Sequence, residues 1–132
     1  MLIKNAQIID GTGSAPYSGH ILLKENRIES ILTNTDAIPN DESLGIIDAK
    51  HQTVMPGLID AHCHISFDEP TSNDELFFHR REGLSSIIAG TNALKVLQSG
   101  VTSFFDADSL YNVGVDLRDA IESGIVPGPR MA

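Results

Sequence analysis

Two histidines one residue apart, His62 and His64, have the spacing that a metal site needs. They close a short apolar run that follows a strand-breaking Pro56-Gly57 pair. Successive side chains of an extended strand point to opposite faces, so the two imidazoles share one face while Cys63 points to the other. Imidazole nitrogen is a common ligand of zinc. The pattern therefore predicts that both rings bind one divalent metal ion.

The same alternation predicts roles for two neighbours of the pair. Asp60 lies two residues before His62, so its carboxylate is expected on the metal face, where it orients an imidazole or adds a ligand. Cys63 is either a soft ligand or nucleophile, or a small apolar side chain packed on the opposite face, and alternation favours the packed position. A His-x-His pair without further context also occurs as two ordinary strand histidines.

Two acidic residues follow a second apolar run further along the chain. Asp106 and Asp108 would lie at the end of that strand, where they either line a substrate cavity or cap the strand and its turn. Both roles are open on the sequence alone. The histidines at positions 20, 51 and 79 lack ligand spacing and are expected at the surface or in the core.

The elements before residue 57 are predicted to be strands and turns. We expect a strand at 2–10, a hairpin of strands 20–24 and 27–32 with a positive φ angle at Asn26, and a pair of strands at 46–48 and 52–55. Residues 33–43 are polar and contain a proline, which predicts a surface loop.

After residue 57, strand and helix patterns alternate, which is typical of a parallel sheet covered by helices. We predict strands at 59–64 and 101–106, helices at 74–99 and 115–123, an active-site loop at 65–73, and the approach to a third strand at 127–132. The apolar stripe of the first helix is expected to contain Leu84, Ile87, Ile88, Thr91, Leu94, Leu97 and Gln98.

Composition is that of an ordinary folded protein, with 41% hydrophobic and 20% charged residues. The net charge of −9 disfavours binding to nucleic acid or to an anionic membrane, because both attract clustered Lys and Arg. No apolar run in the sequence approaches the roughly 18 residues that a membrane span needs. Lys4 interrupts the start too early for a signal-peptide core, so a cytoplasmic location is expected.

The run PGLIDAHCH at 56–64 resembles the metal-binding signature at the end of the first barrel strand in the amidohydrolase superfamily. Downstream, residues 100–103, 117–124 and 127–130 are similar to the imidazolonepropionase-like and prolidase-like branch, so the resemblance covers essentially the whole chain. The sequence departs from that branch at Phe104-Phe105-Asp106, where an Arg often precedes the acidic residue. This departure puts in doubt any substrate contact made by that Arg and allows a more apolar pocket wall here.

This resemblance implies an α/β fold, with residues 1–56 in a small β-sandwich and residues 57–132 in the first two strand-helix units of a TIM (β/α)8 barrel. A complete barrel takes about 250 residues. A chain of 132 residues is therefore expected to be the amino-terminal part of a longer enzyme, through truncation, a split gene or partial expression. Two strands alone would each keep an unpaired edge, so self-association or binding of a complementing carboxyl-terminal chain is expected.

The resemblance also implies hydrolysis of a carbon–nitrogen bond in a small amide, lactam or dipeptide-like substrate, with water activated by one or two divalent ions, commonly zinc. His62 and His64 are the implied metal ligands. A carboxylated lysine, two further histidines and a proton-transferring aspartate would lie beyond Ala132, so no catalytic residue is assigned and the chain alone is expected to be inactive. A non-catalytic metal-binding or interaction module and one subunit of a split enzyme are the alternatives.

Overall fold

The computed structural model describes residues 1–33, 36, 38–39, 43–68 and 70–132. The chain divides into two compact units, Met1–Pro56 and Gly57–Ala132. The first contains a five-stranded sheet, and the second a three-stranded sheet with helices, so the fold is α/β. No helix within the described ranges is both long and apolar enough to cross a membrane.

The first unit is built around β1 (Leu2–Ile8). Strand β2 (Tyr17–Lys24) pairs antiparallel with β1 and with β3 (Arg27–Thr33), which confirms the predicted hairpin. The positive φ angle of its turn, 54°, is at Glu25 and not at Asn26 as predicted. The small core of this unit contains Ala6, Ile8, Ile21 and Ala49. Most of the predicted loop at 33–43 lies outside the described residues.

The predicted pairing of residues 46–48 with 52–55 is wrong. In the described residues, β4 (Ile46–Asp48) and β5 (Thr53–Val54) each pair parallel with β1 and not with each other. They lie on either side of an irregularity in β1, where Asn5 has a φ angle of 56°. Lys50 and His51, between β4 and β5, also have positive φ angles. The His51 N–H donates to the Asn5 carbonyl at 2.7 Å, beside the irregularity in β1. The two short strands therefore form one interrupted edge.

The second unit has a parallel sheet of order β6-β7-β8, formed by β6 (Leu58–Cys63), β7 (Val101–Asp106) and β8 (Arg130–Met131). Because β8 pairs with β7, both edges of β7 are occupied, and the expectation of two strands with free edges is wrong for β7. Helix α1 (Glu82–Gln98) joins β6 to β7, and α2 (Val113–Glu122) joins β7 to β8. The core contains Ile65, Ala89, Ala93, Phe104, Val113, Leu117 and Met131.

The predicted continuous helix at 74–99 is interrupted. A π-helix covers Glu75–His79, Arg80 and Arg81 are extended, and α1 begins at Glu82. The break turns Arg80 inward, so that the residue is only 4% exposed. Its guanidinium binds the Glu75 carboxylate at both oxygens, with Nε–Oε1 and Nη2–Oε2 distances of 2.9 and 2.8 Å. Residues five apart do not face each other on an α-helix, so this ion pair requires the break.

The face that α1 buries differs from the predicted stripe. Its buried residues are small or polar, namely Ser85, Ala89, Asn92 and Ala93. Ile87 is 70% exposed, and Leu84 and Leu94 are also exposed. The Asn92 amide donates to the Ile65 carbonyl at 2.8 Å, which ties α1 to the segment after β6. The apolar pattern predicted the wrong buried face for α1. Small side chains allow the helix to pack closely on the sheet, yet they contribute little to an apolar pattern.

We predict that Gly57→Ala destabilises the second unit. A Cβ atom at Gly57 would overlap the Thr102 side chain and lie 2.6 Å from the Thr102 Cβ, which cannot rotate away. Strands β6 and β7 would have to separate, so we expect the free energy of unfolding to fall by about 1–3 kcal/mol in denaturant titrations. Gly90→Ala in the middle of α1 is the matched control, because its new Cβ would meet Val126 at an ordinary 3.9 Å. Equal stability of the two variants would contradict the prediction.

Candidate metal centre

His62 and His64 bring their rings together at the end of β6. The two Nε2 atoms are 3.1 Å apart, and the ring planes are inclined at 76°. A tetrahedral zinc ion with Zn–N bonds of about 2.0–2.1 Å separates two imidazole nitrogens by about 3.3 Å. The spacing and chemistry of the pair therefore fit one cation. Among the described residues, no group of three or more His, Cys, Asp or Glu side chains is placed to hold a metal ion.

The orientation of His64 is fixed by the backbone of Asp108. The His64 Nδ1 lies 3.1 Å from the Asp108 carbonyl oxygen. A carbonyl only accepts, so Nδ1 carries the hydrogen, and the Nε2 of the neutral ring presents a lone pair. In the metal-free pair the His62 Nε2–H then donates to the His64 Nε2. His64 is thus already in the tautomer of a ligand, whereas His62 is not.

An aromatic stack lies on one face of the His64 ring. The Phe67 ring is nearly parallel to it, with a centroid distance of 4.8 Å and an interplanar angle of 10°. Phe77, from the π-helix, meets the Phe67 ring at 89° and 5.4 Å. A hydrogen bond in the ring plane and a contact on the ring face therefore both restrict His64.

The loop that follows β6 is held in place by three polar side chains from the following helical segments. Arg80 donates to the carbonyls of Ser66 and Asp68, the Asn92 amide donates to that of Ile65, and Lys95 pairs with the Asp68 carboxylate at 2.6 Å. Ile65 and Ser66 are fully buried. The start of the predicted active-site loop at 65–73 is therefore anchored to the body of the second unit.

Asp60 contacts the backbone and not a ring in the described residues. Its carboxylate accepts a hydrogen bond from the His62 N–H at 3.1 Å. The register of β6 shifts nearby, because Asp60 aligns with Phe104 and Cys63 aligns with Asp106. Three residues along β6, from Asp60 to Cys63, therefore align with two along β7, from Phe104 to Asp106. The alternation used to predict a shared face for Asp60 and the histidines does not hold across this step.

Cys63 occupies the packed position that alternation favours. It is half-buried and packs against the core of the second unit. Burial raises the pKa of its thiol, and the nearby charges of Asp60 and Asp106 raise it further. A thiol with a raised pKa is a poor nucleophile near neutral pH, so Cys63 has the character of a small apolar residue.

Asp106 and Asp108 follow β7 and line the same open pocket, with a volume of about 250 Å³. The Asp106 carboxylate accepts hydrogen bonds from the Ile65 N–H at 3.2 Å and from the Ser109 hydroxyl. It therefore ties the ends of β6 and β7 together, as a strand-end cap does. Asp108 acts on the candidate centre through its carbonyl, while its exposed position borders the pocket. The two proposed roles, cavity wall and cap, are thus both compatible with these positions.

The remaining histidines make other contacts or are exposed. The His20 Nδ1 accepts the Asn5 N–H at 3.0 Å in the core of the first unit, His51 is exposed, and the exposed His79 contacts Asp74 at 3.0 Å. Arg118 pairs with Asp119 at 2.7 Å, one of the partners expected for it. Sequence reasoning missed the Asp108 carbonyl, Phe67 and Arg80. An aromatic residue, Phe67, in a mostly polar loop is a sequence signal that could have indicated its role. A backbone carbonyl such as that of Asp108 has no signal in the sequence.

Comparison with known proteins places these residues in a family. Residues 53–132 match the family described as the amidohydrolase family. A dihydroorotase of Elusimicrobium minutum is 33% identical over 77% of this chain and 20% of its own length. A 5'-deoxyadenosine deaminase of Methanobrevibacter smithii is 29% identical over 95% of this chain and 31% of its own. The chain thus spans less than a third of the length of either relative.

Solved structures show the same similarity in three dimensions. A molinate hydrolase structure matches 98% of this chain and 28% of its own, with a TM-score of 0.85 and 27% identity. A Xaa-Pro dipeptidase with bound methionine in its active site matches 98% of this chain and 32% of its own, with a TM-score of 0.81 and 29% identity. Both units of this chain therefore have counterparts in these hydrolases.

We predict that the two histidines differ in tautomer before metal binds. Long-range ¹H–¹⁵N spectra of the metal-free protein, at about pH 8.5 where imidazole is neutral, should show His64 protonated at Nδ1 and His62 protonated at Nε2. On addition of zinc, His62 should change tautomer and His64 should not, because only His62 must free its Nε2. The exposed His51 serves as the control. An Nε2-protonated His64 in the metal-free protein would contradict the assignment.

Proposed function

Because the chain belongs to the amidohydrolase family, which its residues 53–132 match, we propose that it provides the first two metal ligands of a hydrolase acting on a carbon–nitrogen bond. His62 and His64 are those ligands. One observation carries the proposal: their Nε2 atoms lie 3.1 Å apart, with the His64 ring held from behind by a backbone carbonyl. This hydrogen bond on the far nitrogen is the usual support of a metal-binding histidine.

The metal in this proposal is zinc, as one or two ions. When bound, zinc supplies Lewis acidity and lowers the pKa of a coordinated water molecule to about 7. Neutral imidazole suits this borderline cation. His64 contributes an oriented lone pair, His62 contributes a second, and Asp60 holds the backbone N–H of His62. Phe105 supplies an apolar wall. It is 51% exposed, and it points to the face of β7 opposite to that of the buried Phe104.

We further propose that the β6-β7-β8 sheet is the opening of a (β/α)8 barrel, and that the sheet of residues 1–56 is part of a small β-sandwich. Three parallel strands joined by helices support the first assignment, since barrels are built from this unit. The candidate ligands also lie at the carboxyl end of a strand, where barrel enzymes bind substrate. The resemblance to larger hydrolase structures over 98% of the chain supports both assignments.

The proposed substrate is a small amide or dipeptide-like molecule. Support comes from the kinds of enzyme that this chain resembles, among them a Xaa-Pro dipeptidase, a dihydroorotase and a deaminase. Two ligands leave a catalytic zinc one protein ligand short of the usual three. We therefore propose that the described residues form a half-site, which is inactive until further residues complete it.

Two other functions would use the same histidines, namely a non-catalytic metal-binding module and one subunit of a split enzyme. The DNA downstream of the coding sequence separates them. A reading frame that encodes further histidines and a late aspartate would support a split or interrupted enzyme, whereas unrelated sequence would support the non-catalytic module.

We predict that the chain binds zinc weakly. After dialysis, metal analysis should find well under one zinc per chain, because two ligands leave most of the coordination shell to water. In calorimetric titrations, His62→Ala and His64→Ala should each weaken zinc binding by about tenfold or more, whereas the exposed His51→Ala should bind like the wild type. Stoichiometric zinc that survives a chelator would contradict the half-site.

We also predict that the isolated chain associates with itself. The outer edge of β6 is unpaired in the described residues, and Ile59 of β6 and Ile87 of α1 are largely exposed. Unpaired edges and apolar patches favour association. Ile87→Lys should lower the mean mass in light scattering at a given concentration, and Ser86→Lys on the same exposed side of the chain is the control. A wild-type protein that stays monomeric at high concentration would rule this out.

A further inference from the structure

We propose that Phe67 is a positioning residue for His64, and that a short unit made of Glu75, Phe77 and Arg80 holds Phe67 in place. The inference rests on the proposed role of His64 as a metal ligand. Phe67 and Phe77 have no acid–base or metal-binding group, and the Glu75 carboxylate and Arg80 guanidinium are engaged with each other. Their contacts instead support the ring of His64 on one of its faces.

The contacts on His64 come from two directions that restrict different motions. The Asp108 carbonyl, 3.1 Å from Nδ1, fixes the rotation of the ring within its own plane. The Phe67 ring, 4.8 Å away and within 10° of parallel, blocks tilting of the ring out of that plane. With both contacts in place, the ring is held with its Nε2 atom directed towards His62. Removing the stack leaves the ring held from behind by the hydrogen bond to the Asp108 carbonyl.

Phe67 is itself clamped through its backbone. The Nη1 of Arg80 donates to the carbonyls of Ser66 and Asp68, the residues on either side of Phe67, at 3.2 and 3.3 Å. The other guanidinium nitrogens bind the Glu75 carboxylate, so the rotation of Arg80 is fixed. The hydrogen bond from Arg80 lowers the pKa of Glu75, which keeps the carboxylate charged.

The same short segment also supports the Phe67 ring. Phe77 lies in the π-helix two residues after Glu75 and contacts the Phe67 ring edge-on at 5.4 Å. The segment Glu75–Arg80 therefore holds both the backbone and the side chain of Phe67. The interruption of the helix at Arg80 makes this double contact available, because the guanidinium turns inward at that residue.

Phe67→Leu keeps an apolar side chain and removes the stacking ring. We expect zinc affinity to fall by about tenfold, which is the lower end of the effect of losing a partner behind a ligand. In the metal-free protein, His64 should show a mixture of tautomers in ¹H–¹⁵N spectra, since without the stack the ring can tilt away from the Asp108 carbonyl and break its hydrogen bond. Phe67→Tyr retains the ring and should restore both properties.

Phe78→Leu is the matched control, because Phe78 is 77% exposed in the same π-helix. It should leave zinc affinity and the His64 tautomer unchanged. Phe77→Leu removes the support and not the stack, so it should change both readouts in the same direction as Phe67→Leu but less. It is also the variant to use if Phe67→Leu does not fold, because Phe77 is exposed.

The outcomes distinguish this inference from the proposed function. If His62→Ala and His64→Ala both weaken zinc binding but Phe67→Leu and Phe77→Leu do not, both histidines are ligands and the positioning role is overturned. If His62→Ala and His64→Ala leave zinc binding unchanged, the proposed function fails. The metal-free spectra still test the positioning role in that case: an unchanged His64 tautomer in Phe67→Leu overturns it, and a mixed one supports it.

Discussion

A buried guanidinium sets the architecture around the candidate centre. Arginine is charged at every accessible pH and carries five N–H donors, so burial of Arg80 demands acceptors in a fixed arrangement. Glu75 supplies two oxygens, and the carbonyls of Ser66 and Asp68 supply two more. Breaking such an ion pair would leave a buried charge without a partner. Because Arg80 binds both Glu75 and the loop after β6, the break in the helix and the position of that loop depend on each other.

The buried face of α1 contains small residues that let the helix approach the segment after β6. Ala89 and Ala93 are fully buried and bring the helix close to the segment that leaves β6. At that distance Asn92 reaches the Ile65 carbonyl, which is otherwise buried without a strand partner. Leu84, Ile87 and Leu94 are exposed, whereas Val96 is partly buried against the core. Local packing and polar satisfaction, more than hydrophobicity, decide which face of this helix is buried.

The parts of the fold that could be predicted from sequence are those encoded by neighbours along the chain. The ends of β7 follow from the mostly β-branched and aromatic residues between Gly100 and Asp106, and the His62–His64 approach follows from their spacing. What could not be predicted depends on distant partners. The Asp108 carbonyl carries no side-chain signal, and the inward turn of Arg80 depends on oxygens in a loop more than ten residues away. The shifted register at Asp60 likewise arises from pairing with β7.

The half-site has an energetic consequence of its own. Two neutral imidazoles with lone pairs facing each other at 3.1 Å would repel, so the metal-free pair is stabilised by a hydrogen on His62. Metal binding must displace that hydrogen bond, which is worth about 0.5–1.5 kcal/mol. His64 carries no such cost, because its hydrogen already lies on Nδ1. The spacing of the pair is set by two neighbouring positions at the end of β6, whereas the orientation of His64 needs the Asp108 carbonyl and Phe67. A metal ion therefore meets one ligand that is ready and one that must rearrange.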